Sequence, residues 1–272
     1  MRRHLVMGWA ALALAAFSSL SGLEASPVGA AVPAPTPCVG CYVPSPNTSW
    51  QIQLTGTINR SVNATLFDVD LFDTPASTIA ALHAKGRKVS CYFSAGSFEN
   101  WRSDAGAFPS SVKGNSNGWP GERWLDVRQI DVLGPIIEAR LDLCRAKGFD
   151  SADADNMDGY TNTTGFTLTA DDQLAFNVFV ANAAHARGLS IALKNDLDQI
   201  PQLVAYYDWS LNEQCAQYHE CGRLTPFRDV GKAVMEIEYS LPKTAFCPAA
   251  NAANFNALKK QLALGAWRSP CR

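Results

Sequence analysis

From Trp50 onward, short apolar runs alternate with longer amphipathic stretches, and three of the joins are alike. "HAKGRKVSCYFS", "RAKGFDSADAD" and "HARGLSIALKN" each close on a cation and a glycine (Gly86, Gly148, Gly188) before an apolar run begins. A glycine just past a helix end, preceded by Lys or Arg, is the expected stop signal, so each join predicts a helix followed by a strand. Helix starts are also legible. Thr74-Pro75 predicts an N-cap and a first helical residue, and Thr169 with Asp172 resembles a capping box. Ahead of Gly148, Leu133, Ile137, Leu141 and Cys144 recur at helical spacing and predict one buried face. Strands are predicted near 50–55, 66–71, 88–94, 149–155, 190–195, 209–214, 233–239 and 265–268. Strands separated by helices pair in parallel. About eight such units within residues 49–272 predict an α/β fold, a single-domain (β/α)8 TIM barrel. An open, doubly wound sheet is the alternative.

The N-terminus breaks this pattern. "MRRH" and the apolar run "LVMGWAALALAAFSSL" read as a secretory signal peptide over residues 1–31. Residues 32–48 are proline-rich and carry few charges, which predicts a linker. The expectation is a secreted, monomeric protein that leaves the membrane once the signal is cleaved. Eight cysteines in an exported chain predict disulfides, with Cys215–Cys221 the natural local pair. "CVGC" has zinc-like spacing, but no second close pair and no His-x₃₋₅-His follows, so no metal is expected there. The formal charge is −2 and no basic block occurs, so the footprint of a nucleic-acid binder is missing.

In a parallel barrel, chemistry collects at the C-terminal ends of strands. Here those ends carry Asp70, then Asp153, Asp155 and Asn156, then Lys194 and Asn195, then Asn212 and Glu213, then Glu236, Glu238 and Tyr239. "DSADADNMDGY" (150–160) fails as an EF-hand loop, because from Asp153 the fifth position is Met157 and the sixth is Asp158. Asp153 and Asp155 lie two apart and so face the same way. Paired carboxylates in a cleft suit glycosidic bond cleavage, one protonating the leaving oxygen and the other attacking or activating water, with no cofactor. Trp101, Trp119, Trp124, Tyr160, Tyr218 and Tyr239 are candidate sugar-stacking faces. "GNSNG" (114–118) matches G-x-S-x-G but lacks the strand-to-helix context of a nucleophilic serine.

Seven collinear segments carry a further signal. "WQIQLTG", "CYFSAGSFENWR", "GWPGERWLDVR", "FDSADADNMDGY", "LKNDLDQI", "NEQCAQYHEC" and "EIEYS", between Trp50 and Ser240, together resemble the TIM-barrel domain of glycoside hydrolase family 114, the endo-α-1,4-polygalactosaminidases. The resemblance implies a hydrolase of α-1,4-linked, galactosamine-containing polysaccharide. It implies Asp155 as nucleophile and Glu213 as general acid/base, with Asp153, Asn156, Lys194, Asn195, Glu238 and Tyr239 lining the substrate site; Asp70 is expected beside them from its place at a strand end. Family members often read Glu-Pro-Asp-Asn where this chain has Asp153-Ala154-Asp155-Asn156, and the shorter Asp153 puts the contacts of that position in question. The alternative is a barrel that holds an amino-sugar polymer without cutting it.

Overall fold

The computed structural model describes residues 32–272. Eight parallel strands curl around one axis: β1 (Trp50–Gln53), β2 (Leu66–Asp70), β3 (Lys88–Ser94), β7 (Ser151–Asp155), β8 (Ser190–Lys194), β9 (Trp209–Glu213), β10 (Ala233–Glu238) and β11 (Asn256–Lys259). Between β3 and β7 lies a small antiparallel sheet of β4 (Ser97–Glu99), β5 (Lys113–Ser116) and β6 (Glu122–Leu125). The α-helices are α1 (Ala76–His83), α2 (Ile130–Lys147), α3 (Ala170–Ala186), the short α4 (Ile200–Leu203) and α5 (Thr225–Asp229), and α6 (Lys243–Ala252).

Alternation along the strands divides two apolar layers. Val89, Cys91 and Phe93 of β3, Ile191 and Leu193 of β8 and Val234 of β10 pack outward under the helices. Leu66, Ala192, Trp209, Leu211, Ala233, Met235 and Ile237 fill the barrel interior. The local signals hold where they were legible. Gly86, Gly148 and Gly188 all take positive φ, and Thr169 and Asp172 form a reciprocal capping box. Leu133, Ile137, Leu141 and Cys144 are buried together. The start of α1 is one residue later than predicted: Pro75 is the N-cap, and Thr74 donates its backbone N–H to Asp70 O.

The eighth strand corrects the sequence reading. It is Asn256–Lys259, parallel to β10, and not 265–268. "NALK" carries three good helix formers and no β-branched residue, so nothing in it marks a strand. Residues 261–268 instead fill the seam between β1 and β11. Leu54 N donates to Leu264 O (2.9 Å), Gln51 Nε2 to Ala266 O (2.9 Å) and Trp50 Nε1 to Asn256 O (2.8 Å). A two-residue strand, β12 (Ser269–Pro270), pairs antiparallel with β11.

Residues 32–48, expected as a linker, pack onto the domain: Ala34 and Thr36 meet α3, and Pro46 O accepts from Asn256 Nδ2 of β11 (2.8 Å). Thr36 N donates to Asn182 Oδ1 (2.7 Å), and His185 sits between Thr36 O and Asp208 Oδ2 at 2.6 and 2.8 Å. Tyr206 OH donates to Pro33 O (2.9 Å). The signal-peptide reading falls on residues 1–31, outside the described residues. All eight cysteines pair: Cys38–Cys41, Cys91–Cys144, Cys215–Cys221 and Cys247–Cys271. The "CVGC" thiols are therefore consumed by a disulfide. Among the described residues, no helix is long and apolar enough to cross a membrane. Ser116 of "GNSNG" lies on β5, exposed, its Oγ accepting from Gly118 N (3.2 Å).

Candidate active site

Three of the barrel strands end in the same way. Asp155 closes β7, Lys194 closes β8 and Glu213 closes β9, and the next residue in each case, Asn156, Asn195 or Gln214, takes a positive φ of 62°, 51° or 64°. Left-handed backbone is costly for residues other than glycine, least so for Asn, and such positions gather at functional sites. Each turn spins the chain away just after a polar side chain has been delivered to the barrel mouth. Gly96 makes one of these turns possible: a Cβ there would sit 1.7 Å from Asn156 O.

The mouth opens into a cleft of about 610 Å³. Asp155 and Glu213 both line it, about a fifth to a quarter of each side chain being exposed. Tyr92 OH donates to Asp155 Oδ2 (2.8 Å) and Asn156 N to Asp155 Oδ1 (2.8 Å). Glu213 accepts from Asn195 Nδ2 (3.2 Å) and from Tyr239 OH. Asn195 also receives Glu213 N at its Oδ1 (2.9 Å), so one amide side chain fixes both ends of that residue. Between the two carboxylates stands Lys194, with Nζ 3.7 Å from Asp155 Oδ1 and 3.7 Å from Glu213 Oε2. One cation thus touches both acids. Burial opposes its charge, but Asp153, Asp155 and Glu213 outweigh that and hold the ammonium well above the usual lysine range.

Of the other expected site residues, Asp70, Asn156, Lys194, Asn195 and Tyr239 line the cleft. Asp70 is already engaged by Arg102, with Nη1 to Oδ1 at 3.0 Å and Nη2 to Oδ2 at 2.6 Å. Asp153 and Glu238 do not reach it. Asp153 faces the barrel axis one layer below Asp155 and is fully buried, its Oδ2 3.7 Å from Lys194 Nζ. Its shorter side chain therefore does not alter contacts to a sugar directly. Glu238 points outward, because Ala233, Met235 and Ile237 take the interior positions of β10. Its Oε1 accepts from Ala216 N (2.8 Å) and so holds the loop that follows Glu213. Trp101 and Trp119 stand half exposed at the rim, and Tyr239 lies within. Trp124 is buried, while Tyr218 faces a smaller adjoining recess.

The antiparallel insert adds residues that the strand-end reading missed. Glu99, Arg102 and Glu122 close one wall of the cleft. Ser97 Oγ donates to Glu122 Oε1 (2.5 Å), and burial raises the Glu122 carboxyl. Tyr92 and Asp158 were also missed. Asp158 follows the turn at Asn156 and is pushed up to about 6 by burial and then by Asp155. In all, seven carboxyl groups and two cationic side chains line the cleft, a surface suited to a cationic ligand.

In the adjoining recess, Asp196 is 3% exposed and accepts from Asn177 Nδ2 (2.8 Å); burial, and then Asp158, push it up to about 8. Unfolded, it would lose its proton near pH 4. Between about pH 4 and 8 the folded chain therefore binds the extra proton, and stability falls as pH rises, by about 1.4 kcal/mol per unit for this one group. Asp196→Asn is expected to remove that dependence. The variant's Tm should gain on the parent's steadily from pH 4 to pH 8, and a difference that stays flat across that range contradicts the assignment.

Comparison with known proteins places the chain in a family. The profile of glycoside-hydrolase family GH114 matches residues 32–272. Aspergillus fumigatus Ega3, solved in complex with galactosamine, is 44% identical with a TM-score of 0.81; the match covers 85% of this chain and 97% of that one. The glycoside hydrolase domain of PelA from Pseudomonas aeruginosa is 13% identical with a TM-score of 0.63, covering 81% and 96%, and supports the fold alone. An α-galactosidase from Thermus thermophilus in complex with stachyose, 10% identical with a TM-score of 0.53, covers 85% and 64% and does the same. No curated protein matches the chain. With a family match over its whole described length, and a (β/α)8-type barrel bearing two carboxylates on one lysine, the chain belongs to glycoside-hydrolase family GH114.

Proposed function

We propose that this hydrolase is secreted, acts as a monomer, and cleaves α-1,4-linked, galactosamine-containing polysaccharide, with Asp155 as nucleophile and Glu213 as general acid/base. The observation that carries the reading is the approach of both carboxylates to Lys194 in one acidic cleft. Four disulfides suit an oxidising compartment. The excess of carboxyl groups suits a polymer bearing ammonium groups, held by charge-assisted hydrogen bonds. Galactosamine bound to Ega3 supports the same sugar here.

In this mechanism Asp155 attacks the anomeric carbon while Glu213 gives a proton to the departing glycosidic oxygen. Water, deprotonated by Glu213, then releases the sugar from the aspartyl ester and restores both groups. Tyr92 and Asn156 N aim Asp155, and Asn195 with Tyr239 aims Glu213. Incubation with de-N-acetylated α-1,4-galactosaminogalactan, followed by mass spectrometry, is expected to show released oligomers. Retention of the protein on the polymer with no oligomers released would favour a binding barrel instead.

A further inference from the structure

Below the catalytic pair, the barrel axis holds two more carboxyl groups that the mechanism above does not use. Asp68 of β2 and Asp153 of β7 are both fully buried and face the barrel axis from the two strands that flank β3. None of their four oxygens receives a well-formed hydrogen bond from any other group. Two ionised carboxylates placed together in a dry interior repel strongly, and neither can donate to the other. A single proton removes the repulsion and supplies the missing donor.

We propose that Asp68 and Asp153 share one proton in a carboxyl–carboxylate hydrogen bond, and that this buried pair sets how much of the Lys194 charge reaches Asp155 and Glu213. The inference rests on the reading of those two residues as the catalytic pair. Burial drives Asp68 well above the usual carboxyl range, and Asp153 reinforces it. Burial pushes Asp153 up to about 6, with Lys194 opposing. The proton therefore resides on Asp68 and the negative charge on Asp153, the partner that meets Lys194 Nζ at 3.7 Å. The other groups facing this cluster are Ser90 beside Asp68, Tyr92 with its ring 5.6 Å from Lys194 Nζ, Asp155, Glu213 and Tyr239. Asp70, one layer above Asp68, is neutralised by Arg102.

Lys194 thus balances three carboxylates, of which Asp153 is the one no substrate can touch. With Asp153 ionised, part of the ammonium's field is spent below the floor, and the general acid keeps its proton to higher pH. With Asp153 neutral, the full field falls on Asp155 and Glu213, and Glu213 gives up its proton sooner. Asp153 and Asp68 are positioning residues in this scheme, acting only through Lys194.

The test is the pH profile of kcat/KM on the galactosamine polymer. Asp153→Asn is expected to move the alkaline limb down by about one pH unit, equivalent to about 1.4 kcal/mol. Asp153→Glu, which keeps the charge, should return the limb to its parental position, and Asp68→Asn, which keeps a donor to Asp153, should leave it in place. A limb that stays put in Asp153→Asn overturns the proposal. An infrared difference spectrum at neutral pH, parent minus Asp68→Asn, gives a second readout that needs no turnover. It should show the band of a protonated carboxylic acid, and its absence overturns the shared proton even if Asp153→Asn does not fold. A parent enzyme that cuts no polymer would reject the catalytic reading, while the infrared result would still decide the shared proton.

Discussion

Glu213→Gln and Asp155→Asn are each expected to lower turnover of galactosamine polymer by about 10³-fold or more while the chain still folds. Both substitutions keep side-chain volume. In Glu213→Gln, the amide oxygen still accepts from either Tyr239 OH or Asn195 Nδ2, and the backbone N of residue 213 still donates to Asn195 Oδ1, so the β9 turn is preserved. What is lost is the proton that the leaving oxygen needs. In Asp155→Asn, the amide oxygen can still accept from Tyr92 OH, but the nucleophilic charge beside Lys194 is gone. Steady-state kinetics with thermal melts on the same preparations would check this. Parental turnover in either variant, with an unchanged Tm, removes that residue from the mechanism.

Lys194→Met should be the most damaging single change to stability at the site. Lys194 is 1% exposed, and its ammonium is the common counter-ion of Asp153, Asp155 and Glu213. Removing one partner from a buried ionic cluster leaves uncompensated charge and costs about 3–5 kcal/mol. For a domain of this size the Tm should fall on the order of 10 °C near neutral pH. The sign with pH follows from the carboxylates. As pH falls, Asp153, which holds its proton up to about 6, becomes neutral and needs the cation less, so the gap between variant and parent should narrow in acid. A melting difference below about 2 °C at neutral pH, or one that widens on acidification, would show that Lys194 is not the counter-ion proposed here.

The catalytic strands were legible because their chemistry is local to the chain. β7, β8 and β9 each begin with residues of the buried layers and end in a polar side chain followed at once by Asn or Gln, and that order alone marks a strand end at a barrel mouth. Period-two alternation also placed Asp153 and Asp155 on one face. It could not give depth: Asp153 faces the axis as expected, but one layer below solvent. Glu238 was assigned to the wrong face because the glutamates of β10 alternate with a row of apolar residues that itself fills the interior. The cleft wall built from Glu99, Arg102 and Glu122 comes from a three-stranded insert whose strands are three or four residues long, too short for periodicity to register. The eighth strand failed for the same reason, its four residues being too few to show a period.

The roles of the two carboxylates can be tested most directly by chemical rescue with azide, using an α-linked galactosamine oligomer that carries an activated aryl leaving group. In Asp155→Ala, azide should replace the missing nucleophile, restore turnover and yield the β-glycosyl azide. In Glu213→Ala, Asp155 still forms the ester, so azide should intercept it and yield the α-glycosyl azide. An α-azide from Asp155→Ala, or no rescue of either folded variant, would contradict the account.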